Sequence, residues 1–253
     1  MFRIACFFLF GWFPYVVVAN SEREIEVDVV WHERQGQEQR IVWKPYRGDN
    51  WLDSVTVHRS KNYLSSAAIS TLKNGLKLVF WSEDALGKTE LWYSAQVSLM
   101  ARSEWTEPQK VYEACRECLA SAAVVDLDGV LWLFWTDNSQ GHDDVFLRRF
   151  DSGVWLDVEK VNGSNDVPDI KPVANLNRFG QVRVDWVAYS LLEQRYTEAF
   201  KLYGEKRNDD VAEKIVADLS SEEIPFPNFL PYNSSPRIHV PVNRFEQTIL
   251  TEQ

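Results

Sequence analysis

A Gly-to-Trp spacing of six residues occurs three times in this chain, and it limits the fold more than any other feature. The segments are Asn-Gly-Leu-Lys-Leu-Val-Phe-Trp (74–81), Asp-Gly-Val-Leu-Trp-Leu-Phe-Trp (128–135) and Phe-Gly-Gln-Val-Arg-Val-Asp-Trp (179–186). A fourth copy, Glu-Ile-Glu-Val-Asp-Val-Val-Trp (24–31), keeps the Trp and replaces the Gly with Ile25. Trp31, Trp81, Trp135 and Trp186 therefore mark a period of about fifty residues, the scale of a repeat architecture.

The register continues downstream. Ten residues after each of the first three Trp stands an apolar strand start: Ile41, Leu91 and Val145. A second Trp follows (Trp51, Trp105, Trp155), and six residues beyond it a Val (Val57, Val111, Val161). A further apolar stretch, at 64–70, 119–125 and 170–175, leads into the next Gly turn. Each unit thus reads as four short strands separated by turn residues. One four-stranded sheet of this length cannot bury both faces, but sheets stacked around an axis bury one another. The expected fold is all-β, a β-propeller of four or five four-stranded blades. A β-sandwich would produce the spacing only by accident. The repeats fall at about 24–63, 64–118, 119–169 and 170–235, within one domain over 20–253. Closing strands are expected within 236–250. Unit two carries an insertion near 98–101, and beyond Trp186 the repeat erodes, leaving only echoes such as Glu213-Lys-Ile215 for Glu159-Lys-Val161.

The unit Leu91-Trp-Tyr-Ser-Ala followed by Trp105-Thr-Glu-Pro-Gln-Lys-Val111 resembles the sialidase-like, Asp-box (BNR) propeller superfamily. Phe134-Trp-Thr-Asp137 with Asp144-Val-Phe146 is similar, and the resemblance covers about 24–190. It implies a propeller directed at carbohydrate. The chain departs from the family's Asp-box at 46–51, 98–105 and 151–155, and it lacks the Phe-Arg-Ile-Pro motif that carries a substrate-binding Arg. The resemblance therefore implies the scaffold without the sialidase catalytic signature.

Residues 1–19 join one Arg to an apolar run ending Val17-Val-Ala19, the pattern of a secretory signal peptide. An uncleaved anchor is the alternative. The expected location is secreted or periplasmic, with no membrane span after cleavage. Cys115 and Cys118 then remain. In an oxidising compartment they read as a disulfide, with redox chemistry or a metal half-site as the other readings. The net charge of −10 disfavours binding to a nucleic-acid backbone.

A carboxylate recurs two residues past three of the strand-end Trp: Glu33, Glu83 and Asp137. If these residues lie in loops on one face of the ring, they and Asp143 are candidates for the acid and base of glycoside hydrolysis. Ca²⁺ binding is a further reading, although no other cofactor and no metal-ligand pattern is visible. The opposing reading is that a residue repeated in successive units does the same local job in each. His142-Asp143-Asp144 is the densest titratable cluster and belongs to one unit alone. With His32 and Tyr189 it supplies the candidate ligand-binding residues His32, His142, Asp144 and Tyr189. Tyr196 and Trp43 also suit stacking on sugar rings. Asn162 and Asn233 begin glycosylation sequons. Three functions stay open: a non-catalytic module for carbohydrate or another extracytoplasmic ligand, a divergent glycoside hydrolase, and a scaffold that oligomerises through open strand edges.

Overall fold

The computed structural model describes residues 26–47, 50–97, 104–115, 117–138, 140–163, 165–177, 179–205, 237–242 and 245–250. The signal segment, the insertion near 98–101, the echo at 213–215 and the sequon at Asn233 lie outside the described residues. The described chain is built of antiparallel strands and contains no helix, so no helix there is long and apolar enough to cross a membrane.

Four sheets follow one another along the chain. The first holds β1 (Val27–Gln35), β2 (Glu38–Arg47), β3 (Asn50–Trp51) and β4 (Val55–Ser60), with β3 and β4 both paired to β2. The second runs β5 (Tyr63–Thr71), β6 (Lys77–Ala85), β7 (Lys88–Ala95) and β8 (Gln109–Lys110). The third runs β9 (Cys118–Val125), β10 (Leu131–Asp137), β11 (Asp144–Asp151) and β12 (Val154–Lys160). The fourth runs β13 (Asp169–Leu176), β14 (Val182–Ser190) and β15 (Arg195–Tyr203). A C-terminal hairpin, β16 (Arg237–Val242) and β17 (Phe245–Leu250), joins the first sheet through β16–β1 pairing. Neighbouring sheets meet through their leading strands: β1 lies against β5, β5 against β9, β9 against β13, and β13 against β17.

The strands alternate with period two, and the alternation sends successive side chains into different interfaces. On β6, Val79 and Trp81 enter the core shared with the first sheet, while Leu78 and Phe80 enter the core shared with the third. On β10, Leu131, Leu133 and Trp135 face the second sheet, and Trp132 and Phe134 face the fourth. On β14, Val182, Val184 and Trp186 face the third sheet. Each of these strand-end Trp therefore plugs the gap between its own sheet and the preceding one. Trp31, 3% exposed, lies on the face of β1 opposite Val30. Removing an indole of this size from water contributes roughly 4–6 kcal/mol before ordering costs.

The turns before the Trp strands repeat in detail. Leu72 N and Gly75 N donate to Leu76 O and Leu72 O; Asp126 and Gly129, then Asn177 and Gly180, repeat both bonds. Gly75, Gly129 and Gly180 hold φ of 82°, 91° and 72°, a region that suits Gly. The pairing also slips opposite each Trp. The register jumps between Ser65 and Ala68 facing Trp81, around Trp135, and between Ile170 and Val173 facing Trp186. A bulge in each of β5, β9 and β13 thus makes room beside the indole. Ser121 Oγ donates to the bulged Ser66 O at 2.8 Å, fastening the third sheet to the second.

Candidate functional site

The strands run on past the Trp, which moves the recurring carboxylates out of the loops where they were expected. Glu33, Glu83 and Asp137 lie inside β1, β6 and β10, because cross-strand pairing persists there through Glu33–Arg40, Glu83–Glu90 and Asp137–Asp144. Glu33 is held within its own hairpin, and Glu83 by side chains at the edge of the preceding sheet. Glu33 accepts from Trp31 Nε1 at 2.9 Å and from the guanidinium of Arg40. Glu83 accepts from Ser60 Oγ at 2.6 Å and Asn62 Nδ2 at 2.8 Å, and lies 3.2 Å from His58 Nε2. Burial alone would raise the Glu83 pKa. The hydrogen bonds from His58, Ser60 and Asn62, with the His58 charge, outweigh it and hold the pKa down at about 2. Asp137 is buried at the end of β10.

The third and fourth sheets meet at a buried polar network. Asp144, 0% exposed, accepts from Lys160 Nζ at 2.7 Å and Asn162 Nδ2 at 2.8 Å. The same Asn162 nitrogen reaches Asp169 Oδ2 at 2.7 Å, and Asn162 Oδ1 accepts from Val145 N. Trp186 Nε1 and Asn165 Nδ2 complete the shell of Asp169. His142 Nδ1 stands 3.3 Å from Asp144 Oδ2, and Asp143 accepts from Asn138. The His142-Asp143-Asp144 cluster was expected at the surface as a ligand contact, yet its Asp144 is turned inward. Asn162, a sequon residue, is itself buried with its amide engaged, so that this sequon presents no exposed acceptor for a glycan.

His32 is half-buried near the ring of Tyr63, centroids 6.4 Å apart, and burial lowers its pKa. Trp43 is not a stacking surface: it is 3% exposed, donates to Asp28 and packs against Trp105. Cys115 and Cys118 are disulfide-bonded and buried in the core between the second and third sheets. Among the described residues no group of three or more His, Cys, Asp or Glu is placed to hold a metal ion, so the calcium reading gains no donor set there.

Two features go beyond the sequence reading, which names only Tyr189 and Tyr196 among the residues involved. One is a cavity of about 260 Å³ at the Gly-turn end of the third and fourth sheets, lined by Asp126, Asp128, Trp132, Gly180, Tyr203 and Glu205. Burial, aided by the charge of Glu159, raises the Tyr203 pKa to about 12. The other is the outward face of the fourth sheet. Tyr189 pairs across strands with Tyr196, rings edge-on at 5.2 Å, and Tyr196 and Phe200 are 50% and 58% exposed. Alternation on β15 was the available signal, but the absence of Trp beyond residue 186 hid it.

No family model and no curated protein matches this chain. Among solved structures it is similar to the endo-arabinase from Bacteroides thetaiotaomicron, with 11% identity over 95% of this chain and 97% of that one, at a TM-score of 0.46. A protein of unknown function from Dyadobacter fermentans shares 12% identity over 93% and 81% of the two chains, at a TM-score of 0.45. A glycosyl hydrolase from Bacteroides ovatus shares 8% over 89% and 84%, at a TM-score of 0.38.

Proposed function

We propose that the chain is a secreted or periplasmic β-propeller that binds carbohydrate without hydrolysing it. The ring reading rests on the order of contacts. Leading strands touch in the sequence β1, β5, β9, β13, and the C-terminal hairpin pairs with β1 while reaching β13. In that reading β16 takes the position in the first blade that β5, β9 and β13 hold in the others, giving four blades, with the face of β15 turned away from the third sheet left uncovered by the first. A distant kinship with sialidase-like propellers whose catalytic signature has been lost fits the same arrangement.

The observation that carries the non-catalytic reading is the state of the carboxylates. A glycosidase needs one carboxyl held protonated, with a raised pKa, beside a second one in an accessible site. Glu83 is displaced the opposite way, to about 2, and Glu33 and Asp144 are each tied to a cationic side chain. Exposed Tyr196 beside Tyr189 offers the apolar ring surface on which a sugar stacks, with polar neighbours for its hydroxyls. Glycan-array binding run beside a panel of chromogenic glycosides tests the reading. Binding without turnover is the expected result. Turnover that disappears in Glu83→Gln or Asp143→Asn would overturn it.

A further inference from the structure

The outward face of β15 presents a row of side chains that the core does not use. Even-numbered positions share that face: Tyr196, Glu198, Phe200 and Leu202, whose cross-strand neighbours are Tyr189, Val187, Asp185 and Arg183. Odd-numbered Ala199 and Tyr203 pack the other way, onto the core with the third sheet. Tyr196, Phe200 and Leu202 are 50%, 58% and 41% exposed. Mid-strand aromatics at this exposure have a cost in water and signal a contact surface.

The charges on the face identify the contact. Arg183 grips Asp185 through Nε at 2.9 Å and Nη2 at 2.6 Å, and its guanidinium lies 4.5 Å from the centre of the Phe200 ring. Arg183 lies over the Phe200 ring while bonded to Asp185, and Glu198 acts on the same guanidinium, so these eight side chains carry one net negative charge. Such a face attracts no polyanion, and a chain of net charge −10 repels one. Aromatic rings interleaved with paired hydrogen-bonding groups match a ligand with apolar C–H faces and many hydroxyls. Tyr196 and Phe200 stand four residues apart on one face, about 13 Å along the strand, which is a span for an oligosaccharide rather than a single sugar.

We infer that the outward face of β15 is a platform for a neutral polysaccharide, with Tyr196 and Phe200 as stacking positions and Arg183, Asp185 and Glu198 facing the hydroxyls. The inference rests on the carbohydrate-binding reading and assigns that function to one surface.

Affinity electrophoresis of the full chain tests it, in gels containing hydroxyethylcellulose, xylan or galactomannan, with polygalacturonate as the charged comparator. Retardation by at least one neutral polymer is expected. Tyr196→Ala and Phe200→Ala should each weaken it about tenfold, as expected for one lost stacking contact. Tyr196→Phe keeps the ring and should retain binding, which separates lost stacking from lost folding. Val154→Ser, on an exposed position of β12, is the control. Wild-type retardation that persists in both alanine variants overturns the platform while the binding reading stands. Retention by polygalacturonate alone also overturns it. No retention of the wild type by any polymer overturns both. Self-association by sedimentation, abolished in Phe200→Ala, would make the face an interface between copies and overturn the platform.

Discussion

Trp186 and Asp169 join the first residue of β13 to the centre of β14: the indole Nε1 donates to Oδ1 at 2.7 Å, with Asp169 1% exposed. Trp135 holds the corresponding place one sheet earlier, but its Nε1 is buried without a hydrogen-bond partner among the described residues. Equivalent indoles therefore differ in what their removal costs. Trp186→Phe strips a donor from a buried carboxylate and should cost about 2–3 kcal/mol. Trp135→Phe loses area and no hydrogen bond, and should cost about 1–2 kcal/mol. Urea denaturation of the two variants checks the order. Equal losses would mean that the Asp169 bond contributes nothing net.

Asn162 should be the least replaceable polar residue of the third and fourth sheets. Its amide touches both Asp144 and Asp169, and its carbonyl oxygen accepts from Val145 N. Asn162→Ala leaves two buried carboxylates and one buried N–H short of partners, which should cost about 3–5 kcal/mol. In a chain of this size that is a fall of about 10 °C in Tm. Asn162→Asp adds a third buried negative charge and should be worse. Thermal melts at neutral pH decide it; an Asp variant more stable than the Ala variant contradicts the account.

The repeat was legible because it is made of large apolar residues and glycine, whose positions are fixed by packing and by φ. Gly75, Gly129 and Gly180 mark the turns, and Trp81, Trp135 and Trp186 mark the interfaces between sheets. The bulges opposite those Trp were not legible. They occupy Ser65–Ala68 and Ile170–Val173, residues with no shared chemistry, and only a shift in register reveals them. The carboxylates misled for a related reason. Glu33, Glu83 and Asp137 recur at one offset from Trp, and recurrence identified a shared place in the fold. What they touch differs: Glu33 is held by Trp31 and Arg40 of its own hairpin, whereas Glu83 is held by residues distant in sequence such as Ser60. Tyr189 and Tyr196 were legible as aromatics suited to stacking, but their sharing of one face with Phe200 was not, because alternating exposed and buried positions look alike when tyrosine serves on both faces.

Glu83 gives stability a defined pH limit. Its folded pKa of about 2 lies below the ordinary 4.5, so its contribution is present above the unfolded value. It is lost as pH falls from about 4.5 towards about 2. The contribution at neutral pH is about 1–2 kcal/mol, less than the full displacement because part of the carboxylate meets water. Glu83→Gln should flatten the acid side of the stability–pH curve by that amount. Denaturant midpoints between pH 2.5 and pH 7 measure it. An unchanged acid limb would show that the His58, Ser60 and Asn62 contacts do not favour the ionised form.

Tyr203 should be improved by losing its hydroxyl. The ring packs on Trp132, centroids 5.1 Å apart, while its buried Oη has no hydrogen-bond partner among the described residues. Burying a phenol O–H without an acceptor costs free energy that phenylalanine does not incur. Tyr203→Phe should therefore keep the packing and raise stability by up to about 1 kcal/mol, an unusual sign for a core substitution. Spectrophotometric titration supplies an independent reading. Burial and the Glu159 charge hold the Tyr203 phenol near 12, so wild type should show one tyrosine ionising late, and Tyr203→Phe should remove that late step alone. A variant less stable than wild type would mean that the cavity beside Tyr203 holds ordered water, which accepts the hydroxyl's hydrogen bond.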